Sequence, residues 1–179
     1  IIGITGSCGK TTLKKLLGES LTKISKTYFS PSSFNNKFGV PLSLLNLKQN
    51  KKFGVFEVGM DKKGEIEKLT RIIKPDLGII TNISYAHSKN FKNIKQIAEA
   101  KAEIMNNIKK NGIIVLNKDD YFFNYHKNYA IKKKLKIISF GIKSKSSTIK
   151  LHKIKKVKNK YEIFVKINGF SISFFSSLA

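Results

Sequence analysis

The chain has 179 residues, 41% of them hydrophobic, which fits one folded core with at most a small appendage. No apolar run approaches the roughly 20 residues that a membrane-spanning helix needs, and we find no signal peptide before the first strand. A single Cys excludes a disulfide framework and fits a reducing compartment. We therefore expect a cytoplasmic protein that does not contact the membrane.

The charge is strongly positive, because 35 Lys and Arg residues face 11 Asp and Glu residues, a net charge of +24. A basic surface collects phosphates, so a nucleic-acid-binding module is one candidate class. However, Arg71 is the single arginine, and the lysines are spread over all predicted elements. Nucleic-acid readers favour the bidentate fork of arginine, so this charge is more typical of a lysine-rich surface.

Apolar segments alternate with segments of helical periodicity along most of the chain. The predicted strands are 1–5, 53–56, 77–81, 112–117 and 135–140, and the predicted helices are 13–25, 63–73, 94–109 and 121–134. Strands separated by helices indicate right-handed crossovers and a mostly parallel sheet with helices on both faces. The fold class expected is α/β, with a P-loop-type sheet.

The pattern changes near residue 148. Residues 149–156 and 161–167 alternate in polarity, with one turn at 158–160 and another at Gly169. This predicts a small antiparallel β meander. We expect an α/β core over 1–145 and an antiparallel segment of the same domain over 146–179. Because the chain begins directly on a core strand, we also expect it to be a piece of a longer protein.

A glycine-rich turn lies between the first strand and the first helix. Two glycines let the backbone curl so that its N–H groups face an anion, and the helix start adds its positive dipole end. The usual pattern has a further glycine where this chain has Ile4, so the motif is a shortened version. The predicted nucleotide-binding residues are those of this loop: Gly6, Ser7, Cys8, Gly9, Lys10, Thr11 and Thr12.

Polar side chains follow the predicted strands, at the edge where a parallel sheet binds ligands. Glu57 ends one strand, Thr81 and Asn82 end the next with His87 close behind, and Asn117, Asp119 and Asp120 end another. Glu57 and His87 beside a triphosphate loop suggest Mg²⁺ ligands, although spacing alone favours a solvated carboxylate and a surface histidine. We predict surface positions for His126, on a helix, and for His152, on an outer strand.

Lys101 falls inside the apolar stripe of the helix predicted from residue 94. A lysine there either extends past its neighbours to solvent or faces the interior. In the second case, burial would lower its pKa and leave a reactive neutral amine. The sequence pattern alone favours the first alternative.

Five motifs, taken together, resemble the central ATP-binding domain of the Mur ligases. They are the loop 6–12, the Ser-Phe-Asn-Asn-Lys-Phe-Gly-Val-Pro run 33–41, the Phe-Glu-Val-Gly-Met-Asp-Lys-Lys-Gly-Glu-Ile run 56–66, the segment 81–87 and the Ala-Lys-Ala-Glu-Ile run 100–104. The resemblance covers residues 1–120 in order and spacing. The paired asparagines and the Gly-Glu-Ile run are most similar to the branch that adds D-alanyl-D-alanine to UDP-N-acetylmuramoyl-tripeptide.

The resemblance implies roles for several residues. Lys10 and the loop amides would hold the triphosphate of ATP, and Thr11 and Glu57 would bind Mg²⁺. His87 and Lys101 would attend a second Mg²⁺, with Lys101 carbamylated by CO₂. In this family, ATP phosphorylates the terminal carboxylate of the tripeptide, and the amine of D-alanyl-D-alanine attacks the acyl phosphate.

Four asparagines complete the expected site. Asn35 and Asn36 match positions on the muramoyl-peptide side, and Asn82 is assigned to substrate and Asn117 to nucleotide. The resemblance also implies an amino-terminal UDP-binding domain and a carboxy-terminal domain, so the chain alone should be inactive; we expect a monomer. Another Mur ligase or a folylpolyglutamate synthase remains the alternative. Cys8 stands where the family more often has Ser, Thr or Asn, either as a tolerated small residue or as an activated thiol.

Overall fold

The computed structural model describes residues 1–85 and 90–176. Nine strands are present in this part of the chain: β1 Ile2–Thr5, β2 Thr27–Phe29, β3 Phe53–Glu57, β4 Leu77–Ile80, β5 Ile113–Asn117, β6 Lys136–Gly141, β7 Ile149–Val157, β8 Lys160–Ile167 and β9 Phe170–Ser176. The helices there are α1 Lys10–Thr22, α2 Gly39–Leu45, α3 Glu65–Ile73, α4 Ile94–Ala102 and α5 Phe123–Lys132. A 3₁₀ turn, Glu103–Asn106, continues α4.

All nine strands form one sheet, in the order β2-β3-β1-β4-β5-β6-β7-β8-β9. From β2 to β6 each neighbouring pair is parallel, with β1 between β3 and β4. The chain leaves β1 toward one side of the sheet and later crosses to the other. The carboxyl ends of β1, β3 and β4 therefore meet at a topological switch point, where α/β sheets bind their ligands.

The parallel strands are covered on both faces. One face packs Phe56, Ile104 and Met105 into the larger apolar cluster. The other packs Ile4 and Val55 against the leucine side of α1. Short runs of apolar residues suffice here because both faces of a parallel strand are buried.

The strands β7, β8 and β9 pair antiparallel and confirm the predicted meander. β7 continues the sheet by pairing in parallel with β6 over two positions, Phe140 with Ile149 and Gly141 with Lys150. Most residues of β7 and β9 are exposed. The proposed division of the domain at residue 145 stays a prediction.

The α/β class is confirmed, and the differences from the predicted elements are small in extent. β2 and α2 were not predicted, and the helix over 94–109 ends as an α-helix at Ala102. The prediction of a surface position for His126 is wrong: the side chain is buried, because its Nε2 faces the carbonyl oxygen of Ala98 on α4 at 3.0 Å. In residues 1–85 and 90–176, no helix has the length and apolarity to cross a membrane.

Candidate active site

The loop from Gly6 to Gly9, which the sequence predicts to bind phosphate, joins β1 to α1. Gly6 and Gly9 have φ angles of 145° and 80°, which a side chain rarely tolerates. Gly9 offers no side-chain cap to α1, so the N–H groups of the first helical turn are left for an anion. Lys10 begins α1, and its Nζ donates to the carbonyl oxygens of Gly6 at 2.9 Å and Ser7 at 3.2 Å. The Lys10 ammonium therefore lies against the backbone of the loop that precedes it.

Hydrogen bonds join the phosphate loop to residues 81–84, the segment after β4. The Ser7 N–H donates to the Asn82 carbonyl at 2.9 Å, and the Cys8 N–H donates to Asn82 Oδ1 at 3.0 Å. Thr81 Oγ1 donates to the Cys8 carbonyl at 2.7 Å, and the Ser84 N–H donates to Ser7 Oγ at 2.8 Å. Asn82, assigned to substrate from the sequence, thus lies against the phosphate loop.

Glu57 ends β3 directly beneath α1 and is 1% exposed. Its Oε2 accepts a hydrogen bond from Thr11 Oγ1 at 2.8 Å, and its Oε1 accepts one from Asn35 Nδ2 at 2.8 Å. Lys14 Nζ lies 3.6 Å from Oε2. A carboxylate and a hydroxyl from different elements therefore face each other beside the phosphate loop.

Lys14, on the buried side of α1, is only 2% exposed, although its position gave no functional signal in the sequence. Its Nζ also donates to the carbonyl oxygen of Ser32. Burial lowers the pKa of Lys14, and the neighbouring carboxylate of Glu57 opposes that shift. Sequence reasoning missed this residue because a lysine on a helix is ordinarily a solvated one.

Lys101 faces the interior, and it is 3% exposed. Its Nζ donates to the Gly6 carbonyl at 2.9 Å, the same oxygen that accepts from Lys10. Burial above all, and then the positive charge of Lys10, lower the pKa of Lys101 to about 7. The uncharged amine is therefore much more accessible near neutral pH than it is for an ordinary lysine.

A cavity of about 550 Å³ opens beside these groups. Its walls come from the phosphate loop, the loop before α2, the segment after β3, and helices α3 and α4: Lys10, Asn35, Asn36, Lys37, Phe38, Gly59, Met60, Asp61, Glu65, Lys68, Leu69 and Lys101. The fold thus brings together residues assigned to triphosphate, metal and acceptor substrate. Met60 and Asp61 belong to the 56–66 run but were given no role from the sequence, and nothing in the sequence pattern signalled Lys68.

Three further sequence candidates, Asn117, Asp119 and Asp120, are not among the residues that line this cavity. Asn117 Nδ2 donates to the Thr81 carbonyl at 3.2 Å. Asn117 ends β5, which is separated by β4 from the strand that leads into the phosphate loop. Asp119 accepts from the N–H groups of residues 142–144, and Asp120 accepts from the Ile83 N–H at 2.7 Å. His87 lies outside the described residues.

The donor set fits Mg²⁺ bound together with phosphate. Mg²⁺ takes oxygen ligands and usually keeps few protein ligands besides waters and phosphates. Thr11 and Glu57 supply such oxygens from within hydrogen-bonding distance of each other. Over residues 1–85 and 90–176, no three His, Cys, Asp or Glu side chains form a metal-binding group.

Comparison with known proteins places these motifs in one family. The model of the Mur ligase middle domain matches residues 4–179. UDP-N-acetylmuramoyl-tripeptide--D-alanyl-D-alanine ligase of Buchnera aphidicola subsp. Acyrthosiphon pisum is 39% identical over 158 residues, which are 85% of this chain and 34% of that protein. The chain thus spans about a third of the length of the curated relatives it matches.

Solved structures match over nearly the whole chain. MurF from Acinetobacter baumannii superposes with a TM-score of 0.90 at 29% identity, covering 99% of this chain and 38% of that one. MurF from Thermotoga maritima in complex with ADP gives 0.84 at 25% identity, over 97% and 39%. A mutant FPGS from L. casei gives 0.73 at 14% identity, over 99% and 53%, and shares the fold alone. The chain therefore belongs to the Mur ligase middle domain family.

Proposed function

We propose that this chain is the ATP-binding domain of a ligase that joins D-alanyl-D-alanine to UDP-N-acetylmuramoyl-tripeptide in the cytoplasm. The observation that carries the proposal is the meeting of Lys10, Lys101 and Asn35 around one cavity at the switch point of the sheet. The relatives named for this reaction, and a fold match that holds ADP, support it. The paired asparagines Asn35 and Asn36 favour this branch over a folylpolyglutamate synthase.

The loop amides and Lys10 would hold the triphosphate of ATP, with the ammonium turning from the Gly6 carbonyl toward the outer phosphates. Thr11 and Glu57 would hold Mg²⁺, which neutralises phosphate charge when it is bound. The carboxylate of the tripeptide would attack the γ-phosphorus and release ADP. The amine of D-alanyl-D-alanine would then attack the acyl carbon and release phosphate. The protein contributes mainly positioning and electrostatic stabilisation.

We also propose that Lys101 carries a carbamate in the active protein. Its neutral amine, favoured by a pKa of about 7, can attack the carbon of CO₂, form an N–C bond and lose a proton. The product is an anion with two oxygens, which suits a second Mg²⁺ better than a buried ammonium does. His87 and Lys101 would attend that ion.

The experiment is a ligation assay on the whole protein with ATP, Mg²⁺, UDP-N-acetylmuramoyl-tripeptide and D-alanyl-D-alanine, which monitors both ADP and the ligated product. Lys10→Ala should lower turnover roughly 1000-fold, because it removes a charge-stabilising donor from the reacting phosphate. Lys15→Ala is the matched control, since Lys15 is an exposed lysine of the same helix, with 70% of its side chain accessible. Turnover of folded Lys10→Ala at the control's rate would reject the phosphate-loop assignment. Product with folate and glutamate in place of the muramoyl substrates would favour the alternative ligase.

A further inference from the structure

One buried lysine takes no part in the proposed reaction. Lys14 and Lys101 are the lysines that the described part of the chain buries. Lys14 lies one helical turn after Lys10 and approaches Glu57 at the oxygen that Asn35 does not contact. Burying an ammonium is costly unless it is paired, so its position calls for an explanation beyond packing.

Lys14 links the acceptor-side loop to Glu57, which that loop also contacts through Asn35. Its Nζ donates to the Ser32 carbonyl and lies 3.6 Å from Glu57 Oε2. Three residues after Ser32, Asn35 returns to the other carboxylate oxygen, Oε1, at 2.8 Å. The Asn35 carbonyl also accepts from the Gly59 N–H at 2.7 Å, which ties the same loop to the strand end.

The turn that Lys14 reaches is itself an unfavourable one. Ser32 has a φ of 40°, in the left-handed region that non-glycine residues seldom occupy. Such a conformation persists when its surroundings hold it. The hydrogen bond from the Lys14 ammonium to the Ser32 carbonyl is one of the interactions that stabilise this conformation. Ser32, Asn35 and Asn36 belong to the loop between β2 and α2, which we call the acceptor loop (residues 30–38).

We propose that Lys14 is a positioning residue that fixes the acceptor loop and the Glu57 carboxylate relative to each other. The Lys14 ammonium contacts both the nucleotide side of the cavity, at Glu57, and the muramoyl-peptide side, at Ser32. It would thereby hold the two sides at a fixed distance from each other. The inference rests on the proposed function, which assigns Glu57 to the metal and Asn35 to the acceptor side.

Positioning and mere stabilisation predict different kinetics. If Lys14 only stabilises the fold, a folded variant should react normally. If it aligns two half-sites, a folded variant should bind nucleotide well and react slowly, since a misplacement of about 1 Å costs roughly 100-fold in rate.

The test uses Lys14→Met in the whole protein, which nearly keeps the length of the side chain and removes its charge, with Lys15→Met on the exposed side of α1 as the control. Below its unfolding temperature, we expect kcat to fall roughly 100-fold while the KM for ATP stays within about 3-fold. Calorimetry should show about 10-fold weaker binding of UDP-N-acetylmuramoyl-tripeptide but ADP affinity within about 3-fold of the control. Lys14→Gln, which keeps a donor for the Ser32 carbonyl, should bind the tripeptide more tightly than Lys14→Met.

Several results would overturn the inference. One is a folded Lys14→Met that reacts within about 3-fold of the Lys15→Met rate. Equal losses of ADP and tripeptide affinity would likewise indicate a general structural role, as would the failure of both Lys14 variants to fold. If the unaltered protein binds the tripeptide but does not ligate, the proposed function fails instead, and calorimetry with the tripeptide still decides whether Lys14 organises the acceptor loop.

Discussion

The parallel half of the sheet, β1–β6, and the meander, β7–β9, use the same kinds of residue in opposite ways. The helices that pack on the parallel half bury Lys14, Lys101 and His126 against it, whereas the meander leaves Lys153 and His152 exposed. Both regions contribute to the same net charge of +24. The comparison shows that the total charge says little about function here, because what matters is which cations the fold removes from water.

The physical cause lies in how the two regions are covered. Parallel strands have packed layers on both faces, so a polar side chain among them must find a partner within the protein. The antiparallel strands β7 and β9 are mostly exposed, so water solvates their lysines. A residue of the parallel half can therefore be tested against a counterpart of the same type in the meander.

The largest effect is expected at a glycine turn. Gly6→Ala would place a Cβ 1.8 Å from Thr81 Oγ1 and 3.0 Å from the Thr81 backbone nitrogen, at a φ of 145°. We expect a loss of about 3 kcal/mol of folding stability and loss of ADP binding, because the cradle must shift. Gly169→Ala, at the β8–β9 turn, meets no atom within 4 Å and should cost about 1 kcal/mol. Thermal unfolding would measure the loss of stability, and calorimetry would measure ADP binding. Equal losses for the two variants would contradict the prediction that the phosphate loop is the more sensitive turn.

A smaller effect, measured as ligation activity, is expected at Lys101. Lys101→Ala should lower ligation roughly 100-fold, because it removes the group proposed to carry the carbamate. Acetate or formate, occupying the vacated space, should restore part of the rate. Lys153→Ala, on exposed β7, should leave the rate unchanged. A Lys101→Ala protein with full activity, or a structure of the active protein with ATP and Mg²⁺ that has Lys101 as a plain ammonium, would reject the carbamate.

The smallest effect is expected in the pH dependence of stability. Burial lowers the pKa of His126; the Ala98 carbonyl and Asp120 oppose this shift, and Lys101 adds to it. Below its ordinary pKa the unfolded chain takes up a proton that folded His126 resists, so stability falls as the pH drops from about 7 toward about 5, by at most about 1.4 kcal/mol per pH unit. His126→Gln should reduce this dependence in urea denaturation, and His152→Gln should not. Identical pH profiles for wild type and His126→Gln would contradict the prediction.

Much of the fold is readable from the sequence, and the failures have clear reasons. The parallel strands are apolar runs between turn signals, and the meander alternates, so both can be predicted from hydrophobic periodicity. β2 has three residues and α2 has seven, with Pro41 in its first turn, so neither offers enough periodicity to detect. His126 was misplaced because its partner, the Ala98 carbonyl, lies on another helix.

The site was predicted less completely than the fold. The phosphate loop is a local motif. The apolar stripe alone favoured a Lys101 directed to solvent, which its burial contradicts, and the interior position followed from the family resemblance. The bond from Asn35 to Glu57 spans 22 positions in the chain, and the contacts of Lys14 depend on the left-handed turn at Ser32. Such contacts arise from tertiary packing and leave no trace in spacing.

Cys8 gives the phosphate loop a built-in chemical label. It is the one thiol in these 179 residues and its side chain is exposed, while its backbone N–H and carbonyl are held by Asn82 and Thr81. A thiol reagent added to this chain has a single place to attach, at the centre of the cradle. The rate of that labelling would report directly whether the cradle is open or covered, without any engineered probe.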